Sequence, residues 1–125
     1  MSLSSLMPSL HSVALFVTDI ERAKRFYRDD LGLPLVKEGA FGAEFLEEPP
    51  HIGVHPAIHP DARALVGRHT GITLRVEGIL GYCERLHERG VRFLAEPTRQ
   101  PFVIMAMIAD PDGNIFALWD ERVPE

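Results

Sequence analysis

Histidine and glutamate supply the side chains of this chain that are best suited to metal or acid–base chemistry. His51, His55 and His59 recur every four residues, and His69 follows them. Imidazole nitrogens bind zinc, iron and nickel, but a glycine and two prolines interrupt this segment and disfavour a helix that would stack such ligands on one face. On a strand, His51 and His55 would share a face. Two interpretations stay open: a metal site drawn from this group, with Glu44 as a further ligand, or histidines of a surface loop.

The remaining reactive side chains point to structure rather than to catalysis. Cys83 lies on the apolar stripe of a predicted helix, where packing is its expected role, and His87 on the same helix is expected to face solvent. Glu44, Glu47 and Glu48 form a carboxylate group that an exposed hairpin explains. The chain contains no glycine-rich nucleotide-binding motif and no Gly-x-Ser-x-Gly nucleophile motif. The sequence therefore nominates no catalytic residue.

The composition indicates a small acidic domain. The chain has 125 residues, with 13 lysines and arginines against 18 aspartates and glutamates, which gives a net charge of −5. An acidic chain without a basic stripe argues against a nucleic-acid partner. No apolar run reaches the length of a membrane span, and a lone cysteine is typical of a reducing compartment. We therefore expect one cytoplasmic domain over residues 1–125 that binds neither nucleic acid nor membrane.

The elements that must position these side chains are predicted twice, because residues 12–35 and 71–94 share their apolar pattern. In the first copy, Val13–Val17 alternates as a strand, and Thr18 to Glu21 has the form of a capping box that starts a helix closed by Gly32. The further strands are predicted over residues 33–37, 41–46, 52–55, 71–76, 91–94, 102–109 and 115–119, with a second helix from Ile79 to Gly90. This order predicts an α+β fold of two tandem βαβββ modules. Module 1 covers 10–56, a linker covers 57–69 and module 2 covers 70–120.

Two motifs within this pattern resemble the glyoxalase/bleomycin-resistance/extradiol-dioxygenase superfamily, also called the vicinal oxygen chelate (VOC) superfamily. The first runs from Val17-Thr18-Asp19 through Phe26-Tyr27 to Leu31-Gly32-Leu33, and the second is Asp110-Pro111-Asp112-Gly113-Asn114. The resemblance covers residues 10–120. It implies that the modules form a half-closed sheet with a concave cleft, that the cleft holds a divalent metal or an organic ligand, and that the chain forms a homodimer.

The resemblance also implies where metal ligands would stand, and this sequence lacks them there. The family's positions, counted from the two motifs, are occupied by Ser12, Gly71 and Ala117. None of these residues is a strong ligand at neutral pH. His11 is one residue too early, and strand alternation would point it to the opposite face. We therefore expect no metal at the family's site and no cofactor.

Strand alternation assigns the side chains that would line the cleft. The predicted ligand-binding residues are Ser12, Phe16, His55, Thr73, Arg75 and Trp119, and His69 is expected at the rim. A guanidinium at Arg75 would bind carboxylate or phosphate oxygens in a fork, or would pair with an acidic side chain of the protein itself. Phe16 and Trp119 would offer flat apolar surface to a ligand, or would pack in the core.

The predicted function is a metal-independent small-molecule binder of the bleomycin-resistance type, with an aromatic-lined cleft. The alternative is a metal-dependent lyase, isomerase or dioxygenase, similar to the family's lactoylglutathione lyases. That enzyme would need a displaced metal site, built from His55 or His69 with Glu44. The expected partners are a small-molecule ligand and a second copy of the chain.

Overall fold

The computed structural model describes residues 7–121, which form eight strands and three α-helices. In chain order these are β1 (Ser12–Val17), α1 (Ile20–Arg25, continued by a π-helical segment, Phe26–Asp30), β2 (Leu35–Gly39), β3 (Gly42–Phe45), β4 (His51–Pro56), α2 (Pro60–Arg63), β5 (His69–Arg75), α3 (Ile79–Glu88), β6 (Arg92–Gln100), β7 (Val103–Ala109) and β8 (Ile115–Asp120). None of the described helices has both the length and the apolar character that crossing a membrane requires.

The strands form two four-stranded mixed sheets of the same order. The first sheet runs β1-β4-β3-β2 and the second runs β5-β8-β7-β6. In each sheet the first strand of the module is parallel to the last, and the other neighbours are antiparallel. The predicted α+β fold with two βαβββ modules is thereby confirmed. Among the described strands, hydrogen-bonded ladders join neighbours within a sheet only, so the two sheets are separate units and not one continuous ladder.

The start of the first helix differs from the sequence prediction. Asp19 is the N-cap, and its Oδ1 accepts a hydrogen bond from the Arg22 amide at 3.1 Å. Thr18 directs its amide and its hydroxyl to Asp112 in module 2 instead. The predicted capping box is therefore wrong, because a tertiary partner takes the Thr18 hydroxyl and leaves the neighbouring carboxylate to cap the helix.

The structure also contains one helix that was not predicted and one strand that is longer than predicted. The linker contains a short helix, α2, which begins at Pro60, because a proline at the first helical position needs no amide partner. Strand β6 runs on to Gln100, past its predicted end at Leu94, with register shifts opposite β7. Pro97 fits within β6 because this strand is at the edge of its sheet and because Pro97 lies in the register shift between Ala95 and Thr98, where it has no partner in β7.

The core lies between each sheet and the helix of its module. On the first sheet Leu15 and Val54 are fully buried, and on the second sheet Phe116 and Leu118 are fully buried. Cys83 on α3 is 2% exposed and packs in the same core, so its predicted structural role is confirmed. Because side chains alternate across a strand, the residues between these positions lie on the opposite face of each sheet. Those faces carry the predicted ligand-binding residues.

Candidate functional site

The two motifs of the family resemblance meet where the modules contact each other. Asp112 Oδ1 accepts a hydrogen bond from the Thr18 hydroxyl at 2.6 Å, and its Oδ2 accepts one from the Thr18 amide at 3.1 Å. Arg22 adds an ion pair to the same carboxylate at 3.2 Å. We call Thr18, Tyr27, Asp110, Asp112 and Asn114 the inter-module joint. Its members come from both modules, so the motifs hold the modules together.

Asp110 is the centre of this joint and is 4% exposed. Its Oδ2 accepts hydrogen bonds from the Tyr27 hydroxyl at 2.6 Å and the Asn114 side-chain amide at 2.9 Å. Its Oδ1 accepts the backbone amides of Asp112 at 2.9 Å and Asn114 at 2.8 Å. Burial, together with the negative charge of Asp110, raises the pKa of Tyr27 well above its usual value of 10.0. The phenol therefore stays protonated as a donor, and Asp110 is fully engaged in structural hydrogen bonds.

Side chains of the linker and of module 2 also bind the outer edge of β1. Asn114 Nδ2 donates to the Phe16 carbonyl at 3.1 Å, and Arg68 Nη2 donates to the Ala14 carbonyl at 2.8 Å. The Oδ1 of Asn114 accepts the amides of Gly67 at 3.0 Å and Arg68 at 3.3 Å. These side-chain donors take the place of a neighbouring strand along that edge.

The first open face is the surface of the first sheet opposite α1, formed by Ser12, Phe16, Glu44, Gly53 and His55. All of these residues except Phe16 line a hollow of about 190 Å³, to which Lys37 and Phe41 also contribute. The His55 ring lies near Phe16 and Phe41, with ring centroids 5.9 and 6.2 Å away. Three of the six predicted ligand-binding residues, Ser12, Phe16 and His55, are therefore brought together on this face.

The His55 ring has a defined orientation on the first open face. Its Nδ1 is 2.8 Å from the Phe41 carbonyl oxygen, and because a carbonyl can only accept, Nδ1 carries the proton. Nε2 is then an acceptor. A Cβ at Gly53 would lie 2.9 Å from this Nε2, so the absence of a side chain at Gly53 makes room for the ring. A ligand donor can therefore bind His55 without displacing a protein hydrogen bond.

The second open face is the surface of the second sheet opposite α3, formed by Thr73, Arg75, Ala117, Trp119 and Glu121. All of these residues except Ala117 line a hollow of about 540 Å³. Arg75 Nε pairs with Glu121 Oε1 at 2.8 Å, and Trp119 Nε1 donates to Glu121 Oε2 at 3.4 Å. Of the two roles that the sequence left open for Arg75, pairing with an acidic side chain is therefore present. The Arg75 side chain is 73% exposed, so a ligand can still reach its guanidinium.

Two methionines that were not among the predicted ligand-binding residues extend the second open face. Met105 lies directly opposite Trp119 in the β7–β8 ladder, and Met107 lies opposite Ala117. Both are half-buried, whereas the residues that alternate with them are buried. The period of two along β7 was the signal that could have identified them. Methionine side chains are flexible and polarizable, and they adapt to ligands of irregular shape.

The family's three metal-ligand positions are poorly suited to a metal. Ser12 lies on the first open face and Ala117 on the second. Gly71 has a φ of +76° and lies where β5 shifts register against β8. This backbone conformation favours glycine, and a histidine there would be strained. The glycine at this position therefore has a structural reason, beyond the simple loss of a ligand.

A different group of potential metal ligands lies close together. One ligand atom from each of His11, Glu44 and His51 lies within 4.8 Å of the other two. The prediction that His11 points to the opposite face is wrong, because β1 begins at Ser12 and strand alternation does not extend to the residue before it. Glu44 lies in the hairpin of β2 and β3, and its side chain is half-buried on the first open face.

The histidines with four-residue spacing are not one cluster. His51 and His55 share a face of β4, as predicted. His59 precedes α2, and the Nδ1 of His69 accepts the Gly71 amide at 3.2 Å. Within the described part of the chain, His51 is the member of this series that joins a group of potential metal ligands.

The duplicated βαβββ fold and the two joined motifs define the class of protein. The family model of the glyoxalase/bleomycin resistance protein/dioxygenase superfamily matches residues 9–118. The protein belongs to this superfamily.

Three relatives are similar to this chain over most of its length, in sequence or in structure. Protein YetH of Bacillus subtilis is 28% identical over 118 residues, which cover 90% of this chain and 98% of YetH. A superfamily member from Sphaerobacter thermophilus has a TM-score of 0.79 with 27% identity, covering 92% of this chain and 98% of that structure. TnmS3, described as an antibiotic binding protein from a Streptomyces species, has a TM-score of 0.74 with 28% identity, covering 91% of this chain and 96% of TnmS3.

Proposed function

We propose that this protein binds a small organic molecule, with the second open face as the main contact surface and without a metal at the family's ligand positions. The observation that carries the proposal is the hollow of about 540 Å³ lined by Thr73, Arg75, Trp119 and Glu121. Ligand pockets commonly have volumes of about 300–1,000 Å³ and combine apolar surface with a few polar groups. This hollow has that size, and Trp119 supplies its apolar surface beside three polar side chains.

The side chains of this face define the chemical class of the ligand. Trp119 and Met105 are cross-strand neighbours and offer a flat, adaptable apolar surface to a ring system. The exposed guanidinium of Arg75 can bind a carboxylate or another oxygen-rich group in competition with Glu121. The proposed ligand is therefore a flat aromatic molecule that carries an anionic or oxygen-rich edge. The description of TnmS3 as an antibiotic binding protein supports a ligand of the antibiotic type.

The first open face contributes a second set of contacts in this proposal. His55, whose ring lies near those of Phe16 and Phe41, presents an acceptor nitrogen. Ser12 lines the same hollow. The family resemblance further implies a homodimer, which we include in the proposal. Light scattering on the purified chain would measure that state directly.

The alternative function, a metal-dependent lyase, isomerase or dioxygenase, has less support. The family's mechanism needs imidazoles and carboxylates that converge on one ion. Ser12, Gly71 and Ala117 stand at the family's positions, and the φ of +76° at Gly71 favours glycine there. Among the described residues, neither His55 nor His69 joins Glu44 in a group of potential metal ligands, so the displaced site that this enzyme would need is not assembled from them. A binding function uses the side chains that are present, so we prefer it.

Intrinsic fluorescence provides a direct test, because Trp119 is the single tryptophan of the chain. We would titrate the protein with pairs of flat aromatic compounds that differ only in a carboxylate group. The proposal predicts saturable quenching, with tighter binding of the carboxylate member of a pair. Arg75→Gln should remove that preference and leave the quenching in place.

Trp119→Ala and Phe102→Ala form a matched pair for the same compounds, followed by thermal shift. Phe102 is an aromatic residue that is 89% exposed in the turn before β7, and it lines neither hollow. Ligand-induced stabilisation should fall in Trp119→Ala and persist in Phe102→Ala. Equal stabilisation in both variants, or compounds that fail to quench the wild type, would contradict the proposal.

A further inference from the structure

Three potential metal ligands converge at one end of the first open face. His51 begins β4, Glu44 lies in β3, and His11 comes just before β1. These three strands are neighbours in the order β1-β4-β3, so their ends meet. The backbone amide of His51 donates to the His11 carbonyl at 2.8 Å, and the two rings contact edge to face with centroids 5.2 Å apart. One ligand atom from each residue lies within 4.8 Å of the other two.

The tautomer of His51 suits metal binding. Its Nδ1 is 2.7 Å from the Leu46 carbonyl oxygen, and since a carbonyl can only accept, Nδ1 must carry the proton. The lone pair is then on Nε2. Histidines that bind metals commonly donate their other ring nitrogen to a backbone carbonyl in this way, which fixes the ring and raises the basicity of the ligating nitrogen.

The backbone that supplies this carbonyl is in an unusual conformation. Leu46 has a φ of +77°, in the left-handed region that is unfavourable for a leucine. Its amide donates to the Pro34 carbonyl at 2.9 Å, while its own carbonyl accepts from His51. Backbone strain of this kind clusters at functional sites, where the surrounding structure maintains it. This observation is independent of the distances among the three ligands.

We propose that His11, Glu44 and His51 bind a divalent transition-metal ion, with zinc the best match. Two imidazole nitrogens and one carboxylate form a three-ligand set that leaves a fourth tetrahedral position for water or a ligand oxygen. Magnesium and calcium prefer sites made of oxygen atoms, so the two imidazoles favour a transition metal. The site is displaced from the family's positions and lies within module 1 alone.

The three side chains must move closer together to bind the ion. Zinc–ligand distances of about 2.0–2.1 Å place tetrahedral ligand atoms about 3.3 Å apart, whereas these atoms are separated by up to 4.8 Å. The His11 side chain is exposed and lies outside the strand, so a change of rotamer can bring its ring closer. Lys37 lies opposite Glu44 in the β2–β3 ladder and lines the same hollow, so its positive charge would oppose binding of the ion.

This metal site goes beyond the small-molecule function proposed above. It belongs to the first open face, whereas the main contact surface of that function is the second open face around Trp119. Fluorescence quenching at Trp119 and metal binding at His51 are therefore separate readouts. Either proposal can fail while the other stands.

Calorimetric titration tests the site on the full chain. The protein is treated with a chelator, exchanged into a chelator-free buffer and titrated with zinc chloride; cobalt chloride gives a parallel absorption spectrum. The proposal predicts about one zinc ion per chain and visible bands of tetrahedral cobalt. His11→Ala, Glu44→Gln and His51→Ala should each weaken binding by at least about tenfold, as the loss of even outer-shell partners does. His59→Ala, which removes an imidazole at the start of α2, should bind zinc as the wild type does.

His11→Ala keeps the test decisive if His51→Ala fails to fold. The His11 side chain is exposed, so this variant should melt like the wild type by circular dichroism. Weaker zinc binding in a folded His11→Ala protein supports the site. Binding by the wild type that does not saturate, or a folded His11→Ala protein with unchanged affinity, would overturn it. An equal loss of affinity in His59→Ala would also overturn it, because binding would then be spread over surface histidines.

Discussion

The inter-module joint and the two open faces both contain charged and polar side chains. Those of the joint form structural hydrogen bonds, whereas those of the open faces remain accessible to a ligand. In the joint, each oxygen of the Asp110 carboxylate accepts two hydrogen bonds, and the residue is almost fully buried. On the second open face, the Arg75 side chain forms one ion pair and is 73% exposed. The comparison shows that a polar residue in a family motif can be wholly committed to structure. The residues available for recognition lie elsewhere on the same sheets.

The largest expected effect is the loss of the Asp110 carboxylate. Asp110→Ala would leave the Tyr27 hydroxyl, the Asn114 side-chain amide and two backbone amides without their acceptor. Each buried donor that is left without its acceptor commonly costs about 1–3 kcal/mol, so the four together should cost at least about 3 kcal/mol. Chemical denaturation should show this loss in the free energy of unfolding.

Tyr27→Phe is the matched control within the joint. It removes one hydroxyl group and leaves Asp110 with its other three donors. The expected cost is about 1.5–3 kcal/mol, as for a hydrogen bond to a charged group. If Asp110→Ala were as stable as the wild type, the inter-module joint would not contribute to holding the modules together.

The next largest effect is a loss of stability at alkaline pH, which the buried Cys83 thiol should cause. Burial raises the pKa of Cys83 from 9.0 to about 11 in the folded protein. Between these values the unfolded chain releases the thiol proton while the folded chain retains it, so stability should fall as pH rises from about 9 to 11, by roughly 2–3 kcal/mol.

Cys83→Ala provides the comparison for this pH dependence. Burial also raises the pKa values of Tyr27 and Tyr82, so both proteins should lose stability above about pH 10. The wild type should lose more over this range, and the difference isolates the thiol. If the unfolding free energies of the two proteins fell in parallel with pH, the Cys83 thiol would not be the cause of the additional loss.

The smallest effect on stability is expected on the open faces. Arg75→Gln removes an ion pair between two largely exposed side chains, and such pairs contribute little to stability. The free energy of unfolding should change by less than about 0.5 kcal/mol, whereas the preference for carboxylate ligands should be lost. A large loss of stability in this variant would place Arg75 with the joint, and the contrast between the two regions would fail.

Much of the fold could be predicted because it depends on local patterns. The alternation along β1 and the apolar stripe of α3 each identify an element and its buried face without knowledge of the rest of the chain. Three features could not be found in this way. Thr18 pairs with a residue 94 positions away, His11 lies just outside the strand whose alternation was applied to it, and β6 passes through Pro97 because of its edge position. Each depends on tertiary context.

The candidate site was predicted in part for the same reason. Alternation assigned Ser12, Phe16, His55, Thr73, Arg75 and Trp119 to one cleft, whereas the structure has the first three on one sheet face and the last three on another. The sequence could not show that these are two separate hollows, because that depends on how the modules pack. Nor could spacing bring His11 to Glu44, since the two residues meet only through the strand order β1-β4-β3.

The shared hydrogen bonds of Asp110 have a consequence for mutational tolerance. Tyr27 and Asn114 both donate hydrogen bonds to the Asp110 carboxylate. A change at any of these three positions therefore alters how much the other two contribute to the free energy of unfolding. In a library of random variants, these positions should accept substitutions only in combination. Positions such as Thr73 and Arg75 should accept them one at a time. The protein can therefore acquire a new ligand through single changes on its open faces, while its architecture changes only through coordinated ones.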